Sequence, residues 1–372
     1  MQLRYENVCL ESLGYDLPDE IVTTDELERR LEPIYSRLRL PAGRLELMTG
    51  IRERRFYSED MLPSEASIRS GRRALEAANI DAGEIGLLIH GSVCRDYLEP
   101  ATACGVHSAL SLAHECAAYD VSNACLGLLS GVIQAADMIE LGRTKAALVV
   151  GTENGRHLVE NTIERLNADA SLTRDSVKLA VASLTIGSAS AAILLTHRSI
   201  SRTQNRLLGG IVYADSAHHG LCRSGRAEAR DTGLRPLMTT DSEALLECGI
   251  AAADAAFARF SGLTGWQADD IQKTFCHQVG VAHKRLTFET LGLDPAADFT
   301  TFETLGNTGS CALPVTAAIG IEQGHLKPGD RTALLGIGSG INVIMLGVDW
   351  QKSYVKIQPQ LSPSARRERI EL

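Results

Sequence analysis

The chain alternates short, uninterrupted apolar runs with longer helical patterns, and this alternation constrains its fold more than any other feature. IGLLIHGSV at 85–93, the run at 116–121, KAALVVG at 145–151, IQKTFCH at 271–277, RTALLGI at 331–337 and INVIMLGVD at 341–349 read as strands. Apart from IQKTFCH, their apolar residues are scarcely interrupted by polar ones, so both faces must be covered, as in a sheet wrapped by helices. Helical patterns lie between them, at 101–113, after Cys125, at 241–261, from about Val279 and at 309–323. The runs 145–151 and 331–337 share an Ala-Leu-apolar-glycine progression, a hint that one α/β unit occurs twice. Residues 199–235 lack periodicity and are rich in Arg, Gly, Ser and His, which predicts a long loop region beside a site. The final QPQLSPSARRERIEL reads as a polar extension outside the core.

The chain has 372 residues, 44% of them hydrophobic and 22% charged, which suits a globular protein with a substantial core. A net charge of -9 argues against nucleic acid as the main partner. A local arginine cluster would still serve a small polyanionic ligand. The N-terminal MQLRYENVCL is charged, and no run approaches the roughly 18 apolar residues of a membrane span, so a cytoplasmic protein is expected. The nine cysteines are scattered, with neither a Cys-x-x-Cys pair nor zinc-ligand spacing. Most read as free thiols filling core volume, and no metal is expected. His218 and His219 lack a spaced third ligand and read as a polar loop.

Cys125, in DVSNACLG, opens an apolar helix pattern. A thiol there is either a small buried hydrophobe or a nucleophile whose thiolate the helix N-terminus stabilises, with Asp120 to Asn123 supplying capping groups. His277, in FCHQVG, lies at the C-terminal end of a predicted strand, where ligands gather in α/β sheets. Asn307, in GNTGSCALP, lies in a turn-rich loop opening a helix. Each has an ordinary structural reading when taken alone.

Together, in this order, the three motifs resemble those of ketoacyl synthase III-type enzymes of the thiolase superfamily. TGIRERRF, from Thr49 to Phe56, resembles that group's N-terminal motif, and LLGIGSGINV, from Leu334 to Val343, its C-terminal glycine turn. The likeness spans about 1–350. It implies an α/β thiolase fold: two duplicated halves, 1–198 and 199–350, in a five-layer α-β-α-β-α arrangement, followed by the extension 351–372. It also implies that Cys125 becomes acylated by a thioester. His277 and Asn307 would donate to the enolate oxygen of the second thioester, while the backbone N–H groups of Cys125 and Gly340 form the other oxyanion hole.

A condensing enzyme makes its carbon nucleophile either by decarboxylation or by removing an α-proton, and only the second route needs a protein base. SVCRDYLEPATA, from Ser92 to Ala103, resembles the OleA group, thiolase-fold enzymes that join two fatty acyl-CoA molecules head to head. In that group this loop crosses the dimer interface and its glutamate serves the partner's site; Glu99 is the matching position. The resemblance thus implies a homodimer with acyl-CoA substrates and no cofactor, and a 2-alkyl-3-keto acid or its thioester as product. Arg52, Arg54, Arg55, Arg202, Arg206 and Arg223 are candidates for the coenzyme A rim. Arg95 and Asp96 are expected to form an interface ion pair. Gly280 stands where many synthase III enzymes carry Asn. The competing readings are a decarboxylative 3-oxoacyl-carrier-protein synthase and a catalytically silent subunit of a heterodimer.

Overall fold

The computed structural model describes residues 1–225, 237–352 and 354–356. Ten strands form one sheet: β1 Gln2–Arg4, β2 Val8–Asp16, β3 Leu87–Gly91, β4 Ala117–Val121, β5 Ala146–Glu153, β6 Ala189–His197, β7 Arg206–Ala214, β8 Lys273–Cys276, β9 Arg331–Gly338 and β10 Asn342–Asp349. Their order is β8-β9-β10-β7-β2-β6-β5-β3-β4, with β1 paired to β7.

The strand set β3-β5-β6-β2 recurs as β8-β9-β10-β7, with one parallel pair followed by antiparallel neighbours in each. Among the described residues, the one ladder pair that joins the two sets is Cys9 with Arg206. Strands β2, β3 and β5 are buried along their whole length, which explains the apolar runs of β3 and β5, while β2 also buries the polar Glu11, Ser12 and Asp16.

Three hydrophobic clusters define the layers. Helices Pro63–Ala78 and Thr102–Ala109 cover the outer face of β3, β5 and β6. Helices Ser242–Thr264 and Val281–Leu291 cover the second strand set from the other side. Helices Gly127–Glu140 and Ala312–Glu322 lie between, sharing one cluster with strands of both sets. This is the helix-sheet-helix-sheet-helix order of a thiolase fold. Leu128, Val132 and Ile139 of the inner helix are fully buried, and each such side chain contributes about 1.5–3 kcal/mol. Gly127 lets that helix reach the sheet end, since a Cβ there would stand 2.6 Å from the Gly91 carbonyl oxygen.

The expectation of a long loop over 199–235 is corrected by the structure. Residues 206–214 form β7, paired with both β10 and β1. Two adjacent glycines and flanking polar residues hide its pattern in RLLGGIVYA. Residues 226–236 and most of the extension 351–372 lie outside the described residues.

Candidate active site

The C-terminal ends of β4, β5, β8 and β9 meet at one end of the molecule. Cys125 follows β4 after a sharp reversal. Ala124 takes a left-handed φ of 44°, and the Leu126 N–H returns to the Asn123 carbonyl at 2.8 Å. A left-handed alanine is a strained choice that the surrounding structure must hold. The helix proper begins at Gly127, and its N-cap, Leu126, has no side-chain capping bond. The expected capping by Asp120 goes elsewhere: its two oxygens each accept a backbone N–H, from Thr102 and Ala103 at 2.9 Å, and so cap the helix Thr102–Ala109.

Burial pushes the Cys125 thiol up to about 12, and the neighbouring Cys222 and Glu153 add to the shift. The backbone amides of Ser339 and of Cys125 itself act in the opposite sense, favouring the thiolate. Desolvation therefore outweighs the stabilisation that a helix start suggests. The glycine turn closes over this residue. A Cβ on Gly338 would stand 3.5 Å from the Cys125 Cβ and 3.0 Å from Leu126 Cγ.

His277 leaves β8 and donates its backbone N–H to the Leu335 carbonyl of β9 at 3.0 Å, which places it one strand over from the glycine turn. The side chain is buried and its Nδ1 has no protein partner. Burial, helped by nearby His283, pulls it down to about 3, so the ring is neutral at ordinary pH. Gly280 of the same motif backs onto the TGIRERRF segment, and a Cβ there would meet the Thr49 carbonyl oxygen at 2.8 Å. That close approach leaves no room for an asparagine.

Asn307 is held by its backbone to Thr185 and Gly187, each at 2.9 Å. Its Oδ1 accepts the Gly309 N–H at 2.9 Å, which leaves the Nδ2 amide as the donor it can offer a ligand.

Sequence reasoning stopped two residues short of Glu153, the carboxylate that closes β5. It accepts hydrogen bonds from Val93 N–H at 3.0 Å, Cys94 N–H at 3.3 Å and the Ser310 hydroxyl at 2.7 Å. Burial raises its carboxyl above the usual range, against the pull of those donors. A charged residue ending an otherwise apolar strand was the available signal.

Glu99 is exposed on this chain, in a loop whose neighbours Val93, Tyr97 and Leu98 are also exposed, Leu98 to 92%. Its bond to Pro100 is cis. Asp96 accepts the Ser64 N–H at 2.9 Å, so it caps the helix Pro63–Ala78, and among the described residues no intrachain ion pair joins it to Arg95.

The candidate arginines separate. Arg54 is buried and donates to Thr24 Oγ1 and the Leu184 carbonyl, so it is a core tether and cannot form a rim. Arg206 pairs with Asp349, whereas the other end of the same ladder, Ala214 with Asn342, lies beside Cys125. Arg206 is thus eight strand residues from the site, roughly 25 Å. Arg202, bonded to the Ala78 carbonyl, lies at that far end as well. Arg52 is exposed and sits 3.7 Å from Glu303; Arg55 donates to the Pro18 carbonyl. Arg223 lies in the short strand Cys222–Ser224, on the site side. His218 stands between Asp215 and Cys248, and His219 bonds the Ser216 carbonyl.

Residues 47–206 match the thiolase N-terminal domain, and residues 263–350 match the C-terminal domain of 3-oxoacyl-[acyl-carrier-protein] synthase III. The acyl-CoA:acyl-CoA alkyltransferase of Shewanella oneidensis is 39% identical over 351 residues, covering 94% of this chain and 100% of that protein. The acyl-CoA:acyl-CoA alkyltransferase of Xanthomonas campestris pv. campestris is 35% identical, covering 93% and 99%. The β-ketoacyl-[acyl-carrier-protein] synthase III of Symbiobacterium thermophilum is 27% identical. The crystal structure of Xanthomonas campestris OleA with cerulenin bound superposes with a TM-score of 0.88 at 35% identity, covering 93% of this chain and 98% of that one.

Proposed function

This chain belongs to the thiolase-fold family of the acyl-CoA:acyl-CoA alkyltransferases, the OleA enzymes, and on that premise we propose how its residues divide the reaction. The enzyme is an acyltransferase that joins two fatty acyl-CoA molecules head to head by a Claisen condensation without decarboxylation. Coenzyme A thioesters are its substrates, and the reaction needs no resident cofactor or metal.

Cys125 attacks the carbonyl carbon of the first acyl-CoA, the coenzyme A thiolate leaves, and the acyl group stays on sulfur. The thiol starts protonated, so a proton must leave as the C–S bond forms. Neutral His277, at the same sheet end, is the group suited to take it and pass it to the leaving thiolate. The Cys125 and Gly340 amides then hold the acyl oxygen, with Ser339 alongside. The second acyl-CoA places its carbonyl oxygen at His277 and Asn307. Glu99 of a partner subunit removes the α-proton, and the enolate attacks the Cys125 thioester. The new C–C bond forms, the Cys125 thiolate leaves, and a 2-alkyl-3-ketoacyl product results, released as the thioester or, after hydrolysis, as the acid.

One observation carries this assignment. A half-buried thiol lies against the glycine turn of β9, at the same sheet end as a neutral histidine and an asparagine amide pinned as a donor. The exposed apolar loop around Glu99 supports the homodimer, because a second copy covering Leu98 would remove apolar surface from water. Arg52, Arg55 and Arg223 are the remaining candidates for partners of the coenzyme A phosphates. The two-half organisation, 1–198 and 199–350, gives Cys125 to one half and His277 and Asn307 to the other. Free thiols and acyl-CoA substrates suit a cytoplasmic enzyme. Among the described residues, no helix is long and apolar enough to cross a membrane.

The test is incubation with long-chain acyl-CoA alone, followed by mass spectrometry of the protein and the small molecules. Acyl-Cys125 and a coupled product should both appear. Acylation without coupling, with coupling only after malonyl-carrier-protein is added, would overturn the non-decarboxylative assignment.

A further inference from the structure

Glu153 touches two loops that the mechanism needs in register. Its Oε1 accepts the Val93 N–H and the Ser310 hydroxyl, and its Oε2 accepts the Cys94 N–H. Val93 and Cys94 are the root of the segment leading to Glu99. Ser310 belongs to the loop that carries Asn307, and a Cβ on Gly309 of that loop would stand 3.0 Å from Glu153 Cγ. The root is tied to the same strand end a second time, since the Asn154 N–H lies 3.4 Å from Cys94 Sγ. The carboxylate is buried, and among the described residues no ion pair joins it to a cation. The titratable groups facing it are the thiols of Cys94, Cys311 and Cys125. A lone buried carboxylate is costly unless its oxygens are well served by donors. Here they are served by three backbone N–H groups, of Val93, Cys94 and Ser310, and by the Ser310 hydroxyl, which come from the two segments.

We propose that Glu153 is a positioning residue that fastens the loop bearing Glu99 to the loop bearing Asn307, so that the base and the enolate donor hold one geometry. The inference rests on the functional reading above for its catalytic consequence. Glu153 touches neither acyl group; it acts through Val93, Cys94 and Ser310. Its negative charge also opposes thiolate formation at Cys125, so its presence can be read independently of condensation.

Glu153→Gln keeps the shape but removes the charge and replaces one acceptor with a donor. Condensation should fall at least tenfold while acyl-Cys125 forms and accumulates, and alkylation of Cys125 by iodoacetamide should shift to lower pH. Glu153→Asp keeps the charge and should restore part of the condensation rate. Ser310→Ala removes one tie and should give a smaller loss in the same direction. Hydrogen exchange at 93–98 and 307–311 should quicken in both the Gln and the Ala variants if the tether holds those segments. Wild-type condensation by Glu153→Gln would overturn the proposal, and so would unchanged exchange in both segments. If the wild-type enzyme itself fails to couple acyl-CoA, the functional reading fails, and the exchange and alkylation measurements still decide whether Glu153 joins the loops.

Discussion

Asn342 donates its side-chain amide to Asn123 Oδ1 at 3.1 Å, a bond that joins the glycine turn after β9 to the reversal before Cys125. Asn123 follows β4 and Asn342 opens β10, 219 positions apart. Asn123 in turn donates to Ser130 of the inner helix at 3.0 Å. The loop bearing Cys125 is thereby fixed both to its own helix and to the glycine turn, whose Ser339 amide faces the thiol. A Cβ on Gly340 would lie 2.5 Å from Asn342 Nδ2, so turn and asparagine are in direct contact.

Asn342→Ala should therefore slow acylation of Cys125 about tenfold while costing about 1 kcal/mol of stability, the usual worth of such a bond. Stopped-flow acyl loading and urea denaturation measure the two separately. A stability loss with unchanged loading would show that the bond serves the fold alone.

The half-buried Cys125 thiol, pushed up to about 12, dictates a pH profile. Only the thiolate reacts with an alkylating agent, so the rate at Cys125 should keep rising with pH through 10, without the plateau near pH 8–9 of an ordinary thiol. Peptide-resolved labelling across pH 7–10.5 checks this. An early plateau would mean that the amides at the sulfur prevail over desolvation.

His277 and His283 are pulled down to about 3 and about 4. A histidine whose folded value is depressed takes up its proton more readily when unfolded. Both therefore contribute stability that is complete above pH 6.5 and is lost as pH falls toward 3. Their joint loss should be on the order of a few kcal/mol. His277→Asn should flatten that part of the curve, and denaturation midpoints between pH 7 and 4 measure it.

Arg52→Ala and Arg223→Ala should raise KM for acyl-CoA several-fold, whereas Arg206→Ala, at the far end of its strand, should leave it unchanged. Steady-state kinetics at low salt gives the sharpest contrast. An Arg206 effect equal to that of Arg223 would relocate the coenzyme A site.

The layered α/β fold was legible because strands buried on both faces write themselves as apolar runs. β5 and β9 show this well. β7 was not legible, since its interior glycines accommodate close backbone neighbours and break the pattern. The motifs carrying Cys125, His277 and Asn307 stand in the sequence in order, and the catalytic triad they form is the proposal. Arg54 could not be assigned from sequence, because a guanidinium in a core and one on a rim look the same until burial is known. Glu153 was missed for a related reason. Its importance lies in what it joins, Val93 and Ser310, and their proximity arises only from the fold.

The central claim is a condensation at Cys125 with a base supplied in trans. Glu99→Ala and Cys125→Ala chains, each inactive in coupling alone, should be mixed and allowed to exchange subunits with long-chain acyl-CoA present. A mixed dimer holds one complete site, the Cys125 of one chain served by the Glu99 of the other, so coupled product should reappear in the mixture. A mixture that stays silent despite proven subunit exchange, or a Glu99→Ala chain that couples at the wild-type rate alone, would contradict the account.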